Sequence, residues 1–279
     1  MFFSASLLSY ALLASTVFAV PTSRLDGGIA HRVGRRLTAT ATATGPTSTA
    51  TSSPAPSAPG PAVLSSNVWA GAGMESPANT YQSVTGTLVV PHLQPATGGA
   101  IEGIYGGSAW VGLDGMTCQT SLMATGIQFI YLNQTILANA WTEVYPNPSV
   151  SISSMTVNAG DTIKFTLTAT STTTGTAVVE NLSNGQSSTV DITSPSPLCL
   201  ANAEWIVEDF QEGTFLMPFA DFGTITFTDA SATTQSGSTV GPSGDGSHIV
   251  NMVQSGLQFA SASCGASSVT VDYLTSIPF

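Results

Sequence analysis

The chain has 279 residues, with 16 acidic side chains and only 5 lysines and arginines. From Val63 onward the single lysine or arginine is Lys164, whereas every acidic residue except Asp26 lies in this region. The region therefore has one positive charge against 15 negative ones. Such a surface repels nucleic acid and anionic membranes, and neither is expected as a partner. Because crowded carboxylates without cations repel one another, the composition also predicts raised carboxyl pKa values and greatest stability in acid.

Residues 1–19 have the pattern of a secretory signal peptide. An apolar run from Leu7 to Val17 leads into a cleavage site of small residues that ends at Ala19, although no basic residue precedes the run. A transmembrane anchor is the alternative, but the run is short for crossing a bilayer, and no later segment is long and apolar enough to span one. We therefore expect a secreted, extracellular protein.

Residues 20–62 have a different composition from the rest of the chain. A short basic stretch ends in Arg35-Arg36, and an uncharged segment rich in Thr, Ala, Ser and Pro follows. That composition cannot bury a core and predicts disorder. Together with the dibasic site it favours a propeptide, and hence a zymogen, over a glycosylated stalk. The folded domain is then 63–279, and the mature chain starts between Leu37 and about Val63.

The region from Leu64 onward predicts many short β-strands. Apolar and polar residues alternate, with Thr, Val, Ser and Tyr prominent, and Gly, Asn, Asp and Pro interrupt the runs. The Asn184-Gly185 pair predicts a type I′ hairpin, and a helix is indicated only around His248–Gln254. The number and spacing of the runs predict an all-β domain, an antiparallel β-sandwich. The predicted strands are Tyr81–Val90, Gly107–Leu113, Gly126–Leu132, Ile136–Tyr145, Thr162–Ala169, Ala177–Asn181, Ser187–Ile192, Ala203–Phe210, Thr224–Thr228 and Ser268–Leu274.

Three cysteines and two glycosylation acceptors fit an oxidising compartment. Two of Cys118, Cys199 and Cys264 should pair there, which leaves one over. Asn133 and Asn181 each begin an Asn-x-Ser/Thr acceptor, so N-linked glycans are expected on both.

Three of the predicted strands place carboxylates and aromatic side chains on one face. Side chains i, i+2 and i+4 of a strand share a face. A buried core would exclude the acids, and a solvated face would carry fewer aromatics, so a mixed face predicts a binding cleft. The alternative is that the acids mark strand ends and edges. The sets are Trp110 with Asp114, Trp141 with Glu143 and Tyr145, and Glu204, Ile206 and Glu208 with Phe210.

The motifs leave carboxylate chemistry as the main option. Residues 63–279 contain only His92 and His248, and the sequence lacks a G-x-S-x-G elbow, H-E-x-x-H, Cys-x-x-Cys and a phosphate-binding glycine loop. No metal or cofactor is therefore expected. Glu143 and Glu208 could act as the acid and base of a glycosidase. Alternatively, one carboxylate could activate water for peptide hydrolysis while an amide or hydroxyl stabilises the oxyanion.

Four strings resemble the fungal glutamic peptidases, or eqolisins, in order and in approximate spacing. They are "SSNVWAGAG", "GSAWVGLDGMTCQTSLMATG", "AWTEVYPN" and "LCLANAEWIVEDF". The resemblance extends from about Ser65 to Asp229. It implies a concanavalin A-like, lectin-like sandwich of two curved antiparallel sheets. It further implies a secreted acid endopeptidase that is made as a proenzyme and acts on polypeptides. We also expect the protein to be a monomer.

The resemblance also implies roles for individual residues. The family's catalytic pair is a glutamine and a glutamate, and the glutamate falls on Glu208 as general base toward water and later as general acid. The family's disulfide falls on Cys118 and Cys199, which leaves Cys264 over. The substrate-lining positions fall on Trp69, Trp110, Asp114, Glu143 and Phe210.

The family's catalytic glutamine is replaced by Ala124, within "CQTSLMATG". Gln119 is five residues away and would face the other side of a strand, and Gln128 shares the face but lies roughly 13 Å along it. Neither is an obvious substitute. Loss of an oxyanion donor typically costs about 10²–10³ in rate. Two hypotheses stay open, an acid endopeptidase with impaired activity and an inactive pseudoenzyme that binds peptide or glycan.

Overall fold

The computed structural model describes residues 60–212 and 215–274, together with the backbone of Thr38–Ala39. The predicted signal peptide and nearly all of the predicted propeptide lie outside the described residues. Among the residues described, every regular element is a β-strand, which confirms the all-β prediction. Within them no helix has the length and apolar character needed to cross a membrane.

Nineteen strands occur in the described part of the chain, and we number them in chain order. They are β1 (Thr38–Ala39), β2 (Ala62–Ser66), β3 (Trp69–Glu75), β4 (Tyr81–Val89), β5 (Ile104–Leu113), β6 (Met123–Leu132), β7 (Thr135–Val144), β8 (Val150–Ser151), β9 (Thr162–Ala169), β10 (Thr174–Asn181), β11 (Gln186–Thr193), β12 (Asn202–Glu208), β13 (Gln211–Glu212), β14 (Phe215–Leu216), β15 (Thr224–Thr234), β16 (Thr239–Val240), β17 (Ser247–Gln254), β18 (Leu257–Cys264) and β19 (Val269–Tyr273).

Two sheets form the sandwich. The first runs in the order β8, β7, β6, β5, β12, β3 and β17, and continues from β17 through β18 to β19. It is antiparallel except where β2 adds to β17 in parallel, and β1 pairs with β2. The second sheet runs β16, β15, β4, β9, β10 and β11 and is antiparallel throughout.

Strand β15 belongs to both sheets and connects them. Its first part, Thr224–Phe227, pairs with β19 of the first sheet, and its second part pairs with β4 of the second. The register shifts between Thr228 and Ser231, where the strand passes from one layer to the other. A bulge of this kind bends a strand sharply, which allows one strand to join two layers.

Packing between the two sheets explains why apolar residues occupy alternate positions along β12. Trp205 and Val207 are fully buried there together with Phe165 and Leu167 of β9. The indole Nε1 of Trp205 donates to the carbonyl oxygen of Thr85 at 2.8 Å, so a buried polar group is satisfied across the layers. The other face of β12 is thereby directed away from the core.

The helix predicted around His248–Gln254 is wrong, because this segment is strand β17. Its apolar residues at positions 249, 250, 252 and 253 have a spacing that resembles one face of a helix. In the structure the backbone instead pairs with β2, β3 and β18, and the register shifts between Met252 and Val253. Pairing with three neighbouring strands overrides the local pattern.

The hairpin predicted at Asn184-Gly185 is confirmed, but its turn type differs. Asn181 of β10 pairs with Gln186 of β11, so four residues lie in the loop rather than two. A type I′ turn needs positive φ at both central residues, and here Gly185 has a φ of 76° whereas Asn184 is not among the positive-φ residues. The Asn181 side-chain oxygen accepts the backbone N–H groups of Ser183 and Asn184, which orders the loop.

Candidate active site

Five neighbouring strands, β7, β6, β5, β12 and β3, share a face on the side opposite the inter-sheet core, and their register arranges it in three rows. Residues paired across strands project to the same side, so each row is a line of neighbouring side chains. The Ala124 row is Glu143, Ala124, Gly112, Glu204 and Gly73. The Trp110 row is Trp141, Gly126, Trp110, Ile206 and Gly71. The Glu208 row is Asn139, Gln128, Ser108, Glu208 and Trp69.

Glu208 is the last residue of β12 and is 1% exposed. Its Oε2 accepts a hydrogen bond from the indole Nε1 of Trp110 at 2.8 Å. Trp110 in turn packs edge to face on Trp69, with ring centroids 5.3 Å apart and planes at 79°. This hydrogen bond orients the carboxyl group of Glu208 against the indole.

An apolar cluster surrounds Trp110, and we call it the aromatic cluster. Its buried members are Val68, Trp69, Trp110, Met116, Leu122, Ala124, Trp141, Ile206 and Val250. Gly126 lies at its centre, where an added Cβ would stand 2.3 Å from the Ala109 carbonyl oxygen and 2.5 Å from Trp110 Cβ. Only glycine allows β6 to approach Ala109 and the Cβ of Trp110 on β5 so closely. Glu208 therefore lies beside a closely packed apolar region, where electrostatic interactions are strong.

Glu204 is a second buried carboxyl group on this face. It is fully buried, and its Oε1 accepts the backbone N–H of Met116 at 2.8 Å. Among the described residues its Oε2 has no hydrogen-bond partner. Burial raises the pKa of Glu204 well above its usual range, and the nearby charge of Asp114 adds to the increase, whereas the Met116 N–H opposes it. A carboxyl group of this kind is protonated in acid and can donate a hydrogen bond.

Asp114 fastens the segment that leads into β12. Its carboxylate accepts the backbone N–H groups of Leu200 and Ala201 at 2.8 Å each and that of Asn202 at 3.2 Å. Burial raises its pKa, and these hydrogen bonds oppose the increase. The side chain is fully buried and engaged with backbone. Its predicted contact with substrate stays a prediction.

A disulfide joins the same two segments. Cys118, in the turn after β5, is bonded to Cys199, just before β12, and this is the pair that the resemblance implied. Asn202 Oδ1 accepts the N–H groups of Thr117 and Cys118 and reinforces the connection. The disulfide and these hydrogen bonds hold β5 and β12, and thus Trp110 and Glu208, in register. Cys264 is a half-buried free thiol, with Ser247 Oγ 3.8 Å from its sulfur.

Asp209 follows Glu208 and is 2% exposed. Its Oδ2 accepts a hydrogen bond from Gln254 Nε2 at 2.7 Å. Burial raises the pKa of Asp209 to about 8, and the charge of Glu208 adds to the increase, whereas the Gln254 hydrogen bond opposes it. The sequence predicted raised pKa values from mutual repulsion. For Asp114, Glu204 and Asp209 the larger cause is burial.

The other residues predicted for the site lie on or beside the same face. Trp69 lies in the Glu208 row, and Glu143, which is 2% exposed, lies in the Ala124 row. Phe210 lies at the opposite end of the face, where it packs with Ile130 and Met217. Every one of these side chains is nine-tenths or more buried. The predicted alternation of β12 agrees with the structure, and the substrate-binding roles stay predictions.

Comparisons with known proteins identify the family of this chain. Residues 67–273 match the model of the peptidase A4 family. The chain belongs to the peptidase A4 family. It is 42% identical over 227 residues to aspergillopepsin-2 of Aspergillus niger, covering 75% of this chain and 78% of the relative. It is 33% identical over 282 residues to scytalidopepsin B of Scytalidium lignicola, covering 98% of this chain and 99% of the relative.

Solved structures confirm that the peptidase A4 family member described here is a β-sandwich. Scytalido-glutamic peptidase with a transition state analog inhibitor superposes with a TM-score of 0.66 at 32% identity and covers 75% of this chain and 98% of its own. Aspergilloglutamic peptidase from Aspergillus niger superposes with a TM-score of 0.58 at 46% identity and covers 61% of this chain and 99% of its own.

The two predicted glycosylation acceptors of this A4 family chain differ in accessibility. Asn133 is exposed in the turn between β6 and β7. Asn181 is fully buried, and its Nδ2 donates to the Thr156 carbonyl oxygen and to Asp161 Oδ2. A glycan on Asn181 would require both hydrogen bonds to break. The structure therefore favours Asn133 over Asn181 as the site of N-glycosylation.

The motifs of the A4 family did not identify three groups that the structure places near Glu208. Gln128 lies in its row, Asp209 follows it in the chain, and Glu204 is two rows away. Period two indicated the face of Glu204, but no signal in the sequence gives its burial. The row of Gln128 depends on the register of two strand pairs that are distant in sequence, which local patterns do not specify.

Proposed function

We propose that this protein is a secreted acid endopeptidase in which Glu208 activates the water that hydrolyses a peptide bond. The observation that carries the proposal is the buried Glu208 carboxylate, oriented by Trp110 at 2.8 Å on an aromatic face. Membership of the peptidase A4 family supports it. One solved relative, SCP-B of the eqolisin family, is described in a complex with the tripeptide Ala-Ile-His. A polypeptide is accordingly the proposed substrate.

The proposed reaction needs one base and one donor. Glu208 takes a proton from water as the water oxygen bonds to the scissile carbonyl carbon, and the carbonyl electron pair moves onto its oxygen. The tetrahedral intermediate then collapses, the C–N bond breaks, and Glu208 gives its proton to the leaving nitrogen. The products are a carboxylic acid and an amine, and Glu208 is regenerated.

The neighbouring carboxyl groups favour this chemistry in acid. The pKa values of Glu204 and Asp209 are raised, so both are protonated in acid and add no negative charge beside Glu208. As pH rises through these raised pKa values, the two groups ionise, and their charges then oppose a build-up of negative charge on the substrate oxygen. The site is therefore better suited to hydrolysis below neutral pH.

Replacement of the base tests the proposal. The purified full-length chain and its Glu208→Gln variant are each incubated at pH 3 with a denatured protein, and new amino termini are counted. The variant keeps an oxygen that can accept from Trp110 but cannot take a proton, so we expect a loss of about 10²–10⁴. Gln119→Ala, a change at an exposed residue after Cys118, is the control. Equal rates for the parent and Glu208→Gln would refute the proposal.

Ala124 supports a second function, a pseudoenzyme that binds peptide or glycan without turnover. Ala124 is 1% exposed within the aromatic cluster and offers no polar group. This alternative predicts saturable peptide binding without cleavage, and proteolysis that begins on Ala124→Gln substitution. Because a larger side chain at this buried position risks overpacking, the variant's melting temperature must be measured alongside.

The glycosidase hypothesis is not favoured by the register. Glu143 and Glu208 lie on strands three positions apart, about 14 Å across the sheet, and in rows that are four residues apart along it. Paired glycosidase carboxyl groups are separated by roughly 5–10 Å.

A further inference from the structure

A general base alone does not complete a peptidase site. The oxygen of the scissile carbonyl becomes negative in the transition state, and a preorganised donor on that oxygen typically contributes about 10²–10³ in rate. With alanine at position 124, the donor must come from elsewhere on this face. The Glu208 row contains one carboxamide that is nearly fully buried, Gln128.

Strand register places Gln128 directly opposite Glu208. Gln128 of β6 pairs with Ser108 of β5, and Ser108 pairs with Glu208 of β12. Two strand spacings put the Cα atoms of Gln128 and Glu208 about 10 Å apart. The two side chains can approach each other over Ser108 and leave room between their head groups for a water molecule or a carbonyl group. Ser108 is small, and its hydroxyl is engaged with the Ile127 carbonyl oxygen at 2.9 Å.

The surroundings leave this approach clear. An added Cβ at Gly112 would lie 2.7 Å from Cζ3 of Trp110, so the six-membered ring of that indole covers the Ala124 side of the row. At Gly106, on the opposite side, an added Cβ would lie 3.2 Å from the Phe210 ring. The space over Ser108 is therefore bounded by Trp110 and Phe210.

The amide of Gln128 is free to bind a ligand. The residue is 3% exposed, yet within residues 60–212 and 215–274 its side chain takes part in no hydrogen bond. An amide in the row of the proposed base and between two aromatic walls fits a group that completes its hydrogen bonds when substrate is bound.

We propose that Gln128 is the catalytic amide of this protein and donates from Nε2 to the scissile carbonyl oxygen while Glu208 takes the proton from water. The inference rests on the proposed function and names the donor for it. Gln128 forms no covalent bond and exchanges no proton. The hydrogen bond strengthens as the carbonyl electron pair moves onto oxygen and weakens again when the C–N bond breaks.

The first test removes the donor while keeping the side-chain volume. Gln128→Met in the full-length chain should lower kcat about 10²–10³ and leave KM within a few-fold, because the interaction develops in the transition state. Gln119→Ala, which removes an exposed glutamine outside the row, should match the parent. The melting temperature of each variant at pH 3 shows that the protein is folded.

The second test uses a readout that a structural role would not change. Gln128→Glu should retain activity only where the introduced carboxyl group is protonated and can donate, so its pH–rate profile should lose the upper part of the parent's range. Should Gln128→Met fail to fold, this profile decides the question by itself.

The outcomes separate the two proposals. A parent protein without Glu208-dependent cleavage overturns both. A parent that cleaves while Gln128→Met keeps full kcat, or while Gln128→Glu keeps the parent's pH profile, overturns only the role of Gln128. Loss of kcat in Gln128→Met with a narrowed profile in Gln128→Glu supports both.

Discussion

Replacing Asp209 with asparagine should remove much of the protein's preference for acid. Asp209 is 2% exposed, and the asparagine side chain keeps an oxygen that can accept from Gln254. The substitution therefore removes a titrating proton with little change in shape. Its effect should depend on pH, since asparagine resembles the protonated acid and differs from the ionised one.

The sign and size of the effect follow from the raised pKa. In the folded state Asp209 has a pKa of about 8, and in an unfolded chain an aspartate has a pKa near 3.9. Between those values the folded state holds a proton that the unfolded state has released, so the free energy of unfolding falls as pH rises. Each pH unit costs about 1.4 kcal/mol. Over the whole window the loss is on the order of 5 kcal/mol, a large part of a typical domain's stability.

Thermal unfolding of the parent and Asp209→Asn at pH 4, 6 and 8 measures this loss. We expect similar melting temperatures at pH 4 and a variant that is more stable by roughly 10–20 °C at pH 8. Glu204 also has a raised pKa, so it destabilises both proteins as pH rises and cancels in the comparison. Asp191→Asn, at an exposed acid on β11, is the control. A constant difference between parent and variant from pH 4 to pH 8 would refute the reasoning.

Two further substitutions test other parts of the site. Trp110→Phe removes the N–H that donates to Glu208 and keeps an aromatic ring. Because hydrogen bonds to charged groups contribute about 1.5–3 kcal/mol, kcat should fall roughly 10- to 100-fold. A kcat within two-fold of the parent value would contradict this role of Trp110. Replacing Cys118 and Cys199 by serine removes a disulfide that closes a loop with a sequence separation of 81. The free energy of unfolding, measured with guanidinium, should fall by about 4–5 kcal/mol. An unchanged unfolding midpoint would contradict this contribution of the disulfide.

Local sequence patterns predicted the parts of this fold that depend on neighbouring residues. Period two assigned Trp205 and Val207 to one face of β12 and Glu204 and Glu208 to the other, and the structure agrees. The sequence patterns gave wrong or incomplete predictions where the structure depends on pairing between strands that are distant in the sequence. Strand β17 takes its conformation from three partner strands, and β15 changes sheets at a register shift, neither of which a short window specifies.

The same limitation explains why Gln128 was set aside on sequence grounds. Its separation from Ala124 along β6 was the only distance that the sequence provides, and roughly 13 Å argued against a shared role. The relevant distance is from Gln128 to Glu208, and it depends on how β6 and β12 each pair with β5. Across the sheet the two residues are in register, although 80 positions separate them in the chain.

The only lysine of the chain lies on the second sheet and does not neutralise the carboxyl groups around Glu208. Lys164 of β9 lies 3.4 Å from Glu180 of β10 on the second sheet, half-exposed. Within the described residues no other lysine or arginine is present, so the carboxyl groups around Glu208 have no such cation to balance them. Protons are then the remaining means of neutralising them, and burial makes Glu204 and Asp209 bind those protons more tightly. Because the same protonation stabilises the fold and keeps charge away from Glu208, stability and activity should decline together as pH rises.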